Sequence, residues 1–77
     1  MGVNPVAVAF GSVLRESRTK ADLSQEALAL EAGVDRTFIS LLERGLRQPS
    51  LDTVFRLADV LKVAPATLVG RAASLIK

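Results

Sequence analysis

Four side chains near the middle of the chain have the types and the spacing needed to contact the edges of base pairs. Arg36, Thr37, Ser40 and Leu41 lie within the segment RTFISLLER. A helical period puts Thr37, Ser40, Leu41 and Arg44 on its outward side, with Arg36 at its start. An arginine can donate two hydrogen bonds to the O6 and N7 atoms of guanine, and a threonine can place its methyl group against thymine. The alternative is an ordinary solvated helix surface. We favour a base-reading surface because of the pattern that surrounds these residues.

A second group of side chains flanks this segment and could contact phosphates. Gln25 falls in the first turn of a predicted helix, where the free backbone amides and the side chain can meet an anion. Between Arg36 and Arg47, three arginines stand against a single acid, Glu43. Phe38 has two interpretations, since it could pack on the fourth helix or lie against sugars and base edges. The candidates for contacts with a nucleic-acid backbone are Ser24, Gln25, Phe38, Arg44, Arg47 and Gln48.

Two short helices joined by a tight turn are predicted between residues 25 and 44. Gly33 stands where the chain must take a left-handed conformation, which glycine adopts without strain. Ala29 must be small because the second helix of the pair crosses close above it, and Asp35 is a good N-cap for that helix. The apolar residues that would hold the two helices together are Leu28, Ala29, Ala32, Ile39 and Leu42.

Start and stop signals of helices recur along the rest of the chain, and no segment outside the helices alternates with period two. The sequence therefore predicts one all-α domain over residues 1–77, a compact bundle of five helices. The first helix is predicted to begin at Asn4-Pro5 and to end near Lys20. Ser24 and Asp35 are predicted to cap the second and third helices, and Gly45 to end the third. The fourth and fifth helices are predicted to start near Ser50 and Pro65. The predicted apolar stripes are Val6, Phe10, Val13 and Leu14 on the first helix and Leu51, Val54, Phe55, Ala58 and Leu61 on the fourth.

Composition excludes several classes of function. The 77 residues include no cysteine and no histidine, and the formal net charge is +2. Disulfide scaffolds, the usual zinc sites and Ser-His-Asp or Cys-His catalysis are therefore excluded, so we expect no enzyme, no metal and no cofactor. The longest apolar run, Val6–Phe10, is too short to span a bilayer. A cytoplasmic protein without a membrane partner is expected.

The last predicted helix, at about residues 65–76, is more apolar than the covering of a small core requires. A two-fold dimer would explain the excess, because such dimers are the commonest protein assembly. The alternative, which does not exclude the first, is that this helix closes the core of the monomer. The residues predicted for a dimer interface are Leu68, Val69, Ala72, Leu75 and Ile76.

The segment QEALALEAGVDRTFISLLER resembles the helix-turn-helix of the phage repressor and Cro family, also called the xenobiotic-response-element family. FGSVLRESR, LSQEALA, ISLLERG and QPSLDTVFRLADVLKV resemble further parts of that family, in the same order. Within the family, GVDRTFIS resembles the small controller proteins of restriction–modification systems. The resemblance implies that Arg18 and Glu43 pair across the first and third helices. The family usually has a larger apolar residue where this chain has Ser17, and often glycine where it has Asp22.

Together these observations predict a sequence-specific regulator of transcription that binds a palindromic operator in double-stranded DNA as a homodimer and regulates its own gene. No sensor domain is visible in the sequence, so no small-molecule effector is expected. Activation would also require a contact with RNA polymerase, for which Glu26 and Glu31 are candidates. The alternative is an antitoxin-like protein-interaction module, with DNA binding secondary.

Overall fold

The structure is a computed structural model that describes residues 4–76, and these residues form five helices and no strand. The predicted all-α, five-helix architecture is therefore confirmed. Among the same residues, no helix is long and apolar enough to cross a membrane. The helices are α1 (Pro5–Lys20), α2 (Gln25–Ala32), α3 (Arg36–Glu43), α4 (Leu51–Leu61) and α5 (Pro65–Ile76).

Most helix starts are fixed by the side-chain caps that the sequence predicts. Asn4 Oδ1 accepts hydrogen bonds from the backbone amides of Val6 and Ala7. Ser24 and Ser50 cap α2 and α4 in the same way. Asp35 occupies the N-cap position of α3, as predicted, but its side chain makes no cap hydrogen bond. Its backbone carbonyl accepts the first bonds of the helix instead.

Two glycines turn the chain at the ends of α2 and α3. Gly33 and Gly45 both have φ of +73°, the left-handed conformation that costs other residues strain. A Cβ atom on Gly45 would also lie 2.9 Å from Val8 Cα, so the loop after α3 rests directly on α1. Asp22 has φ of +62°, which accounts for the glycine that related sequences often carry at this position.

One core cluster joins all five helices and includes the side chains predicted to hold α2 on α3. The predicted apolar stripes of α1 and α4 were wrong at Val6, Leu51 and Phe55, which are exposed. In α4 the buried stripe is shifted to the neighbouring flank of the helix. That stripe consists of Val54, Leu57, Ala58 and Leu61.

Ser17 and Arg71 form a polar link between α1 and α5. Ser17 is buried, and its hydroxyl accepts a hydrogen bond of 3.4 Å from Arg71 Nη1. Arg71 also makes an ion pair with Glu16. A hydroxyl in place of a larger apolar side chain thus gives the arginine of α5 a partner on α1.

Candidate nucleic-acid interface

Close backbone contact with α1 fixes the C-terminal end of α3. A Cβ atom built on Gly11 would lie 2.2 Å from the carbonyl oxygen of Leu42 and 2.9 Å from that of Glu43. No residue with a Cβ atom fits at position 11 without a shift of the backbone. Gly11 therefore sets how closely α1 approaches the end of α3. The sequence pattern did not reveal this role, although a lone glycine inside a helical pattern can indicate a packing role.

An ion pair with a second residue of α1 also holds this end of α3. Arg18 Nε donates to Glu43 Oε2 at 2.5 Å, and Arg18 Nη2 donates to Oε1 at 3.1 Å. A third donor, Arg18 Nη1, reaches the carbonyl of Leu23 at 2.8 Å. Only 12% of the Arg18 side chain and 3% of the Glu43 side chain are exposed. The pairing that the resemblance implied thus exists as a two-pronged, nearly buried contact.

Gln25 joins this ion pair from the first turn of α2. Its Nε2 atom donates to Glu43 Oε1 at 3.0 Å. One of the two amide hydrogens of Gln25 is therefore used inside the protein, and the other remains free to donate outward. Because Gln25 contacts Glu43, the start of α2 lies beside the end of α3, where Arg44 follows.

The outward side of α3 has the composition that the sequence predicts. Arg36 and Thr37 are exposed, while Ser40 and Leu41 are half-buried. The opposite side is fully covered, since Ile39 and Leu42 are completely buried. The N-terminal turn of α3 is thus the part of the helix that projects furthest, as expected for an element that enters a groove.

Within residues 36–47, from the start of α3 to the loop after it, the exposed charges have one sign, although Asp35 just before α3 is also exposed. Arg36, Arg44 and Arg47 are exposed, whereas the single acid of this segment, Glu43, is buried against Arg18. A segment that looks mixed in sequence therefore presents only positive charge to solvent. Such a surface attracts a polyanion, and its arginines can pair with phosphates.

Phe38 lies between the core and Arg47. The ring is half-buried and packs against the core cluster. The guanidinium carbon of Arg47 lies 5.9 Å from the ring centroid, which is within the range of a cation–π contact. Of the two interpretations of Phe38, packing is the one that the geometry favours.

The remaining candidates for backbone contacts, Ser24 and Gln48, are both exposed. Ser24 is exposed at the N-cap of α2, where its hydroxyl accepts from the amide of Ala27 at 3.0 Å. Gln48 is exposed in the segment that leads to α4. The structure therefore brings Gln25 to the end of α3, where Arg44 follows, whereas Gln48 lies in the lining of a groove beside α5.

The assignment of Leu68 to a dimer interface needs correction, because Leu68 is completely buried in the core that α5 closes. Ala72 is 6% exposed and lines the groove beside α5. Val69, Leu75 and Ile76 lie at the surface, with exposures of 50%, 59% and 45%. Next to them, an open groove of about 340 Å³ separates α5 from the starts of α1 and α4. Its apolar lining includes Val6, Val54, Val69, Ala73 and Ile76.

A further surface lies on α2, away from the core. Glu26, Leu30 and Glu31 are exposed on this helix, and Leu30 at 81% is the most exposed of the large apolar side chains that the structure describes. Neither glutamate forms a salt bridge among the described residues. This acidic and apolar surface has no partner within residues 4–76.

Comparison with known proteins agrees with this geometry. A helix-turn-helix family model matches residues 14–68. The control protein C.BamHI of Bacillus amyloliquefaciens is 40% identical over 67 residues, which cover 86% of this chain and 83% of that protein. The HTH-type regulator Rv0474 of Mycobacterium tuberculosis is also 40% identical, but the match spans only 44% of its length. The crystal structure of the restriction–modification controller protein C.AhdI from Aeromonas hydrophila superimposes with a TM-score of 0.79, at 45% identity, over 80% of this chain and 94% of that one. The chain belongs to the helix-turn-helix family of DNA-binding transcriptional regulators, as the sequence predicted.

Proposed function

We propose that the chain acts in the cytoplasm as a homodimer that binds a two-fold symmetric operator and controls transcription in the manner of a restriction–modification controller. The observation that carries the proposal is the outward face of α3, which is fixed by Gly11 and by the Arg18–Glu43 pair. Its exposed charges are all positive, because the only acid of the segment is buried. The similarity to C.BamHI and C.AhdI supports the assignment to controllers.

Within this proposal the side chains divide into two groups. Those that read base edges are on the projecting side of α3, where a recognition helix places its N-terminal residues in the major groove. Those that contact phosphates surround it and set the register on the duplex without reading its sequence. The base-reading residues are Arg36, Thr37, Ser40 and Leu41, and the phosphate contacts are Ser24, Gln25, Arg44, Arg47 and Gln48.

The second copy of the chain would bind against α5. Val69, Leu75 and Ile76 expose apolar surface beside the groove between α1, α4 and α5. A second copy is the fitting occupant because one small domain reads a short half-site, and two linked domains gain affinity from simultaneous binding. A two-fold dimer would place its two α3 helices about one helical turn apart on the DNA.

A contact with RNA polymerase would use the exposed face of α2. Glu26, Leu30 and Glu31 are free on this helix, which starts beside the phosphate-binding surface. The partner would be a basic surface with an apolar contact for Leu30. Replacement of Glu26 and Glu31 by glutamine should then abolish activation in transcription assays with purified polymerase and leave operator affinity unchanged.

The proposal is tested by selecting bound sequences from a pool of random duplex DNA with the purified chain. We expect enrichment of two inverted half-sites separated by a constant distance. Sedimentation of the free protein should show a dimer at the concentrations used. A selected pool without repeated half-sites, or enrichment no better than that of a protein-free control, would contradict sequence-specific binding by a dimer.

A further inference from the structure

We propose that Phe38 is a positioning residue for Arg47, whose guanidinium it holds over its ring so that the guanidinium is presented to a DNA phosphate. This inference rests on the proposed function, in which Arg47 contacts the backbone. It gives Phe38 a part in affinity without any contact between its ring and the DNA.

The contact joins a residue of α3 to a residue of the loop that follows it. Phe38 is in the first turn of α3, whereas Arg47 is in the segment between α3 and α4, which is not helical. One side of the ring packs on the core, and the guanidinium carbon of Arg47 lies 5.9 Å from the ring centroid. The ring is therefore supported by the core, and the exposed Arg47 side chain lies over it.

Within residues 4–76, Arg47 forms no salt bridge. Among residues 4–76, the arginines in salt bridges are Arg18, Arg56 and Arg71. Arg36 and Arg44 are also exposed, but within the described residues neither lies over an aromatic ring. The cation–π contact with Phe38 thus distinguishes Arg47 from Arg36 and Arg44.

Stacking suits a guanidinium that must bind phosphate. A guanidinium placed over a ring makes no hydrogen bond to the ring's edge, so its N–H groups can still donate to a phosphate in the two-pronged geometry. A long side chain that is already restricted loses less freedom when it binds. For an exposed cation–π contact, this effect corresponds to about a two- to fivefold change in affinity.

A double-mutant cycle tests the inference. The variants are Phe38→Leu, Arg47→Gln and the double variant, and the probes are a duplex of the selected sequence and a scrambled duplex of the same composition. Dissociation constants are measured across a series of salt concentrations. Arg47→Gln should weaken binding to both duplexes and lower the salt slope by about one unit. Phe38→Leu should weaken both about two- to fivefold, and it should have no further effect once Arg47 is replaced.

Arg44→Gln provides the matched control, because Arg44 is equally exposed but unstacked. When Arg44→Gln is already present, Phe38→Leu should still weaken binding about two- to fivefold. Leucine preserves apolar packing in the core, and thermal unfolding of each variant shows that the folded protein is being compared. The inference would be overturned if Phe38→Leu lowered DNA affinity equally with and without Arg47. An unchanged salt slope in Arg47→Gln would also overturn it. The scrambled duplex keeps this test separate from the proposed function, since the proposed function fails only if the selected sequence is not preferred.

Discussion

Gln25 and Glu43, the first residue of α2 and the last of α3, are joined by a hydrogen bond of 3.0 Å between Gln25 Nε2 and Glu43 Oε1. The same oxygen accepts from Arg18 Nη2. A side chain proposed to contact phosphate therefore shares a carboxylate with the ion pair that holds the reading helix. A movement of α3 relative to α1 would therefore change the hydrogen bond between Gln25 and Glu43.

Loss of Glu43 should cost far more stability than loss of an exposed acid. Glu43→Ala leaves Arg18 nearly buried without its partner, so we expect a decrease in the free energy of unfolding of about 3 kcal/mol. Urea denaturation followed by circular dichroism measures it. Glu31→Ala, on the exposed face of α2, is the control and should change stability by less than about 0.5 kcal/mol. Similar losses in the two variants would show that the pair is not effectively buried.

Two glycines within helices should respond in opposite directions to the same substitution. Gly11→Ala places a Cβ atom 2.2 Å from the carbonyl oxygen of Leu42, so overpacking should destabilise the fold by about 1–3 kcal/mol. Gly70→Ala in α5 meets nothing within 4 Å and should stabilise it by about 0.5–1 kcal/mol, because alanine favours the helix. Melting temperatures of the two variants give the comparison. An unchanged or raised melting temperature for Gly11→Ala would refute the close contact of α1 with α3.

The helix boundaries could be predicted because their causes are local. Asn4, Ser24 and Ser50 each cap a helix through a backbone amide within three residues. The buried flank of α4 could not be predicted in this way. Phe55 and Leu57 both fit a helical period, and only packing of α4 against α2 and α5 selects Leu57 for the core.

The candidate site likewise has features that the sequence predicts and contacts that it does not. The outward side of α3 follows from its apolar positions, because burial of Ile39 and Leu42 fixes the rotation of the helix. The hydrogen bond from Gln25 to Glu43 and the stack of Arg47 on Phe38 depend on how separate segments meet in space. No spacing within the sequence encodes either contact.

Arg36 and Arg44 should differ in what their removal does to DNA binding. Arg36→Ala should lose discrimination at one base position of each half-site, by about 1–3 kcal/mol, because it removes donors to a base edge. Arg44→Ala should weaken all sequences alike and lower the salt slope by about one unit. Competition binding with single-base variants of the selected duplex separates the two effects. If Arg36→Ala weakened the selected and the scrambled duplex equally, its base-reading role would be wrong.

Charged substitutions on α5 should separate dimerisation from folding. Val69→Asp and Ile76→Asp place a charge on the exposed side of the helix, so we expect folded monomers whose operator affinity falls about a hundredfold, since the two half-sites are no longer bound together. Leu68→Asp buries an unpaired charge and should unfold the chain instead. Leu30→Asp, at the exposed face of α2, is the matched control and should stay dimeric. Sedimentation and circular dichroism distinguish these outcomes, and a dimer that persists in both Val69→Asp and Ile76→Asp would move the interface to another surface.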